Sequence, residues 1–154
     1  MGRPPSIKYT TATILTAILT VVSVWLPWVQ KLPAGYIDGQ PYYTMEWVPG
    51  LEAGFQGTDP FAVLLAILVI VTVIAARKLK WPPDGVLVVV GTVLVWWSGT
   101  TLQSYSTVDR YAIEPGLYLC LVSGVLLILL GVGAGFQRYL NSGLASTEEN
   151  SPTT

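Results

Sequence analysis

The feature that most constrains this chain is the spacing of its charges. Between Lys8 and Lys31 the sequence runs from Tyr9 to Gln30 without an acid or a base, and three further intervals of this kind follow: Pro60 to Ala76, Gly85 to Val108 and Pro115 to Gln137. A hydrocarbon core about 30 Å thick is crossed by about 20 apolar helical residues, so each interval predicts a transmembrane helix. The shortest, Pro60 to Ala76, spans if Arg77, Lys78 and Lys80 extend their stems through the apolar zone and place their charges at the headgroups. Only 11% of the 154 residues are charged and 52% are hydrophobic, whereas an ordinary soluble domain carries about 25% charged residues. The expected fold class is an all-α membrane protein: a four-helix transmembrane bundle with spans at 9–30, 60–76, 85–104 and 115–137, forming one domain over 1–140. A small β-rich extracellular loop is expected between the first two helices.

Local chemistry supports these limits. Pro60 suits a first helical turn, where its missing N–H removes no bond, and Asp59 before it can cap exposed donors. Pro82-Pro83-Asp84-Gly85 is a turn, Pro115-Gly116 opens the fourth helix, and Pro27 ends or kinks the first beside Trp25 and Trp28. The basic residues set the orientation, because they are retained on the cytoplasmic side. Arg3, Lys8, Arg77, Lys78, Lys80 and Arg138 fall on one side of the four spans, and Lys31 and Arg110 fall on the other. The expectation is a multi-pass protein of the cell membrane with both termini cytoplasmic. Trp25, Trp28, Trp96 and Trp97 then mark the outer interface, and Tyr9, Trp81 and Tyr139 the inner one. In a competing reading the first apolar stretch is a cleaved signal peptide, but it is longer than the usual 7–15 residues, and no clean small-x-small site follows it.

The spans contain no Asp, Glu, Lys, Arg or His, and the whole chain has no histidine. Ion-coupled transport and proton relays rely on such groups within the bilayer, and acid/base or nucleophilic catalysis relies on paired titratable groups. A non-enzymatic protein without a cofactor is therefore expected, and no basic motif points to nucleic acid. What the first helix does carry is a hydroxyl face: Thr10, Thr13, Thr16, Thr20 and Ser23. Small and hydroxylated residues let helices approach closely and bond across the contact, so Thr13, Thr16 and Thr20 are candidate packing residues. Gly124, Gly131 and Gly135 are the corresponding candidates on the fourth helix, with Gly131 and Gly135 in small-xxx-small register. The alternative is a small channel or transporter subunit whose path is lined by this threonine face, with Gln103 near its outer mouth. Cys120 reads as a small apolar packing residue.

The segment 31–59 is the extracellular cap. Loops longer than about 12–15 residues usually carry structure or function. Asp38-Gly39 is a tight-turn signal, and the run from Tyr42 to Val48 favours a strand that Pro49-Gly50 ends. Tyr42, Tyr43, Trp47 and Phe55 are the candidate contact residues for a membrane-protein partner or a second copy. In the alternative reading the rings rest on the helix ends. Asp38, Glu46, Glu52 and Asp59 match no calcium-loop spacing. Asp109, Arg110, Tyr111 and Glu114 of the second outer loop add a short ordered cover, and the polar segment 141–154 reads as a disordered cytoplasmic tail.

Four helices with inside termini, a long first outer loop of strand character and the run Trp47-Val48-Pro49-Gly50-Leu51 resemble the claudin group. That resemblance implies a membrane protein working through its first extracellular loop. Glu52 stands where the claudin motif has Trp, and the chain's single cysteine leaves out the paired cysteines of that loop. Trp25-Leu26-Pro27-Trp28 and Pro115-Gly116-Leu117-Tyr118-Leu119 resemble small uncharacterised four-span membrane proteins of archaea and actinobacteria, a family that implies topology and no activity.

Overall fold

A computed structural model describes residues 6–42, 59–106 and 111–149 of the chain. Four helices dominate it: α1 (Ile7–Trp25), α2 (Asp59–Leu79), α3 (Asp84–Ser106) and α4 (Pro115–Glu149). All four are long and apolar enough to cross a membrane, as a multi-pass membrane protein requires. Short strands β1 (Val29–Lys31), β2 (Gly35–Ile37), β3 (Gln40–Tyr42) and β4 (Tyr111–Ile113) form two small sheets.

The helix boundaries have local causes. Ser6 caps α1, its side-chain oxygen accepting from the Tyr9 backbone N–H at 3.2 Å, which satisfies one of the donors left open in a first turn. The first helix ends at Trp25 and not at residue 30, because Leu26 turns extended (φ −94°, ψ 147°) ahead of Pro27. A residue that precedes proline is pushed out of the helical region in this way. Val29 and Gln30, expected in the span, join Lys31 in β1 instead. At the other extreme α4 runs 35 residues to Glu149, about 50 Å at 1.5 Å per residue. Helical backbone thus occupies much of the segment whose polarity suggested a tail.

α1 packs against α2 and α4, α3 packs chiefly against α4, and α2 and α3 touch little although a short turn joins them. The seams are built from small residues. α2 buries Ala62, Ala66, Val69, Val73 and Ala76, a four-three-four-three spacing that follows one helix face. α1 buries Thr10, Thr13, Thr16, Ala17, Thr20 and Ser23. Large side chains point the other way: Leu15, Ile18, Leu64, Ile67, Val71, Ile74, Val89 and Leu129 are exposed. In water this arrangement would forfeit the hydrophobic drive. In lipid, where tails are as apolar as leucine, close backbone approach is what holds helices together.

One end of the bundle carries the strands. β1 pairs antiparallel with β4, Val29 opposite Ile113 and Lys31 opposite Tyr111, so the chain leaving α1 is stitched to the chain approaching α4. β2 and β3 form a hairpin in which Ile37 faces Gln40 across Asp38-Gly39. Both turn residues have positive φ, 49° and 78°, the backbone that a two-residue turn needs to match strand twist. The expected turn is therefore present. The expected strand from Tyr42 to Val48 lies outside the described residues beyond Tyr42.

Candidate functional site

The candidate packing residues are best followed from α1 inward. Thr13, Thr16 and Thr20 are buried, and each turns its hydroxyl onto its own helix: Thr13 donates to the Tyr9 carbonyl at 2.9 Å, Thr16 to Ala12 at 2.9 Å, and Thr20 approaches Thr16 at 3.2 Å. Ser23 donates to the Thr20 carbonyl at 2.7 Å. Thr20 also reaches across the seam to the Ser123 oxygen of α4 at 3.0 Å, while Ser123 donates to the Cys120 carbonyl at 2.8 Å. A chain of hydroxyls and carbonyls thereby joins α1 to α4 at mid-bundle. Thr10 is the exception among the described residues, since its buried hydroxyl has no partner.

The α3–α4 seam is the tightest. A Cβ placed on Gly91 would lie 2.6 Å from the Gly124 carbonyl oxygen, and one on Gly124 would lie 2.9 Å from Val95 Cγ2. A Cβ on Gly131 would meet the Asp84 carbonyl oxygen and Val88 Cγ2, both at 2.8 Å. Close approach therefore uses Gly124 and Gly131, two helical turns apart, with Gly91 filling the facing position. Gly135 has open space at its Cβ position, so it takes no part in this seam. Sequence reading missed Gly91; a lone glycine in the interior of a helical pattern was the available signal.

The strand end is closed by aromatic packing. Trp28, expected at the membrane interface, is buried, and its indole N–H donates to the Ser23 carbonyl at 2.8 Å. Its ring meets Trp97 edge to face at 5.5 Å, and Trp97 meets Phe61 of α2 at 5.5 Å. Trp25 and Trp96, their neighbours in sequence, are exposed as interface residues are. α4 docks here through Gly116, where a Cβ would strike Trp28 Cδ1 at 2.6 Å and the Leu26 carbonyl oxygen at 2.7 Å. The Glu114 backbone N–H donates to the Trp28 carbonyl at 2.9 Å.

The hairpin projects beyond this layer. Tyr36 is 69% exposed, Ile37 62% and Tyr42 45%, so of the candidate contact residues Tyr42 stands on an apolar, solvent-facing hairpin. Tyr43, Trp47 and Phe55, together with the Trp47-Val48-Pro49-Gly50-Leu51 run, Glu46, Glu52, Asp109 and Arg110, lie outside the described residues.

At the opposite end three helices converge on one carboxylate. Asp84, in the first turn of α3, accepts from the Tyr9 hydroxyl of α1 at 3.3 Å and forms an ion pair with Arg138 of α4 at 2.8 Å. No spacing rule links residues so far apart in sequence, and this cluster was not foreseen. Among the described residues no group of histidine, cysteine and acidic side chains is arranged to hold a metal ion. No protein-family model matches this chain, and no curated protein matches it in sequence.

Proposed function

We propose that the chain is a non-enzymatic integral membrane protein of structural or interaction type, a multi-pass protein of the cell membrane with both termini cytoplasmic. Its bundle is held by the Thr13, Thr16, Thr20 and Gly124, Gly131 seams. Its extracellular cap engages a membrane-protein partner or a second copy, with Tyr42, Tyr43, Trp47 and Phe55 as contact residues.

The observation that carries this reading is the exposed hairpin. A two-stranded ribbon is marginal in water by itself, and this one offers Tyr36, Ile37 and Tyr42 outward; an apposed surface would stabilise it and bury those rings. The interior supports packing over conduction. Its hydroxyls are engaged by helix carbonyls and by each other, which leaves few of them to replace the hydration shell of a permeating solute.

The test is cross-linking and co-purification from membranes in mild detergent. Replacing Tyr36 and Tyr42 with Ser is expected to abolish oligomer or partner capture while membrane insertion is retained. Unchanged capture by the inserted variant would refute the cap role. Liposomes containing the purified protein are expected to show no ion or small-solute flux, and robust flux would instead favour a channel subunit.

A further inference from the structure

The end of the bundle opposite the strands collects exposed cations. Lys8 stands in the first turn of α1, and Arg77, Lys78 and Lys80 stand at the end of α2; all four are exposed. α1 packs on α2, and the Tyr9–Asp84 hydrogen bond sets the start of α1 beside the turn that follows α2, so these two helix ends lie at the same end of the bundle. Among the described residues none of the four takes part in an ion pair. Asp84, which also stands at this end, is already engaged by Arg138 and Tyr9.

Lys80 adds an independent sign. It follows α2 with φ +53°, while the Trp81 backbone N–H bonds back to the Ala76 carbonyl at 3.2 Å. This is a helix-ending motif whose left-handed position ordinarily holds glycine. A lysine there keeps a positive charge at a backbone conformation that a Cβ disfavours. Next to the cations in the chain, Ile7, Leu79 and Trp81 expose apolar and aromatic surface.

We propose that this end is a binding surface for anionic phospholipid, with the headgroup held by Lys8, Arg77, Lys78 and Lys80 and the upper acyl chain against Leu79 and Trp81. A soluble phosphate would satisfy the cations and leave the apolar rim bare. A neutral lipid would do the reverse. Each Lys or Arg near an anionic membrane surface is worth about fivefold in partitioning, so four of them in one place discriminate strongly. The inference rests on the bundle being embedded in a membrane and is independent of the cap's role.

The full chain, reconstituted in phosphatidylcholine vesicles, is supplied with phosphatidylglycerol, and the lipid retained after detergent extraction is counted by native mass spectrometry. Phosphatidylglycerol is expected to be retained about tenfold over phosphatidylcholine, with the preference shrinking at high salt as charges are screened. Replacing Lys8, Arg77, Lys78 and Lys80 with Gln is expected to remove the preference. The charge-keeping set Arg77→Lys, Lys78→Arg and Lys80→Arg is expected to retain it. Equal retention of both lipids by the unmodified protein overturns the proposal without recourse to any variant. Displacement of the lipid by glycerol phosphate at equal concentration also overturns it, since the surface would then be a soluble-anion site. Failure to enter phosphatidylcholine vesicles would overturn the membrane reading itself, whereas insertion without anionic preference overturns the lipid proposal alone.

Discussion

Arg138 and Asp84 form an ion pair, Nη1 to Oδ2 at 2.8 Å, with the Arg138 side chain 37% exposed and that of Asp84 14%. The second carboxylate oxygen accepts from Tyr9 at 3.3 Å. One side chain therefore ties α1, α3 and α4 at the end where no strands assist. Asp84 also sits in the first turn of its helix, where a negative charge is favoured by the helix dipole.

Removing that charge should loosen the bundle. Asp84→Asn is expected to cost about 1–2 kcal/mol, between the values of exposed and buried pairs, and Tyr9→Phe about 0.5–1 kcal/mol. Unfolding in detergent micelles measures both. The double variant is expected to cost less than the sum, because both changes act on the same carboxylate.

The glycines of α4 should separate into two classes. Gly124→Ala, and Gly91→Ala opposite it, force a methyl against backbone atoms and are expected to cost about 1–3 kcal/mol. Gly133→Ala and Gly135→Ala meet nothing within 4 Å and should be neutral or stabilising by up to about 1 kcal/mol through helix propensity. The same unfolding assay distinguishes the two groups.

The Thr20–Ser123 contact is expected to show a coupling energy of about 0.5–1.5 kcal/mol in a double-mutant cycle of Thr20→Val and Ser123→Ala. Thr10→Val should be neutral or stabilising, since it removes a buried hydroxyl that has no partner. A loss above about 1 kcal/mol at Thr10 would mean that this hydroxyl is bonded.

Two positive-φ positions should respond in opposite directions. Gly39→Val places a branched side chain at φ +78° and is expected to destabilise the hairpin by at least about 1 kcal/mol, read as faster amide exchange at Ala34, whose N–H bonds to the Tyr42 carbonyl. Lys80→Gly relieves the left-handed lysine and should stabilise the protein by about 1 kcal/mol in neutral detergent, while weakening its retention of phosphatidylglycerol.

Charge-free intervals made the spans legible, because exclusion of charge from lipid acts on each residue separately. The Asp38-Gly39 turn was legible for a similar reason, since its geometry depends on the two residues that form it. What escaped the sequence depends on distant partners. Val29 pairs with Ile113 and Asp84 with Arg138, and no local pattern announces either. Trp28 and Trp25 differ little in sequence context, yet one is core and the other surface, because the chain bends at Pro27 between them. Within the seams, the threonine face of α1 is buried as one face, whereas the close approach on α4 falls at Gly124 and Gly131 and not at Gly135. Which glycines touch is decided by the facing helix, and Gly91 is visible as a partner only once α3 is laid against α4.

The bonds of the α1 hydroxyls to their own helix bear on how the protein is made. Thr13, Thr16, Thr20 and Ser23 each have an acceptor within one turn of the same helix, so α1 needs no neighbour to satisfy them. It can stand in lipid with its polar groups satisfied before the helices that follow it in the chain pack against it. The Ser123 contact, by contrast, exists only once α4 lies against α1, so it belongs to helix association and not to the helix itself.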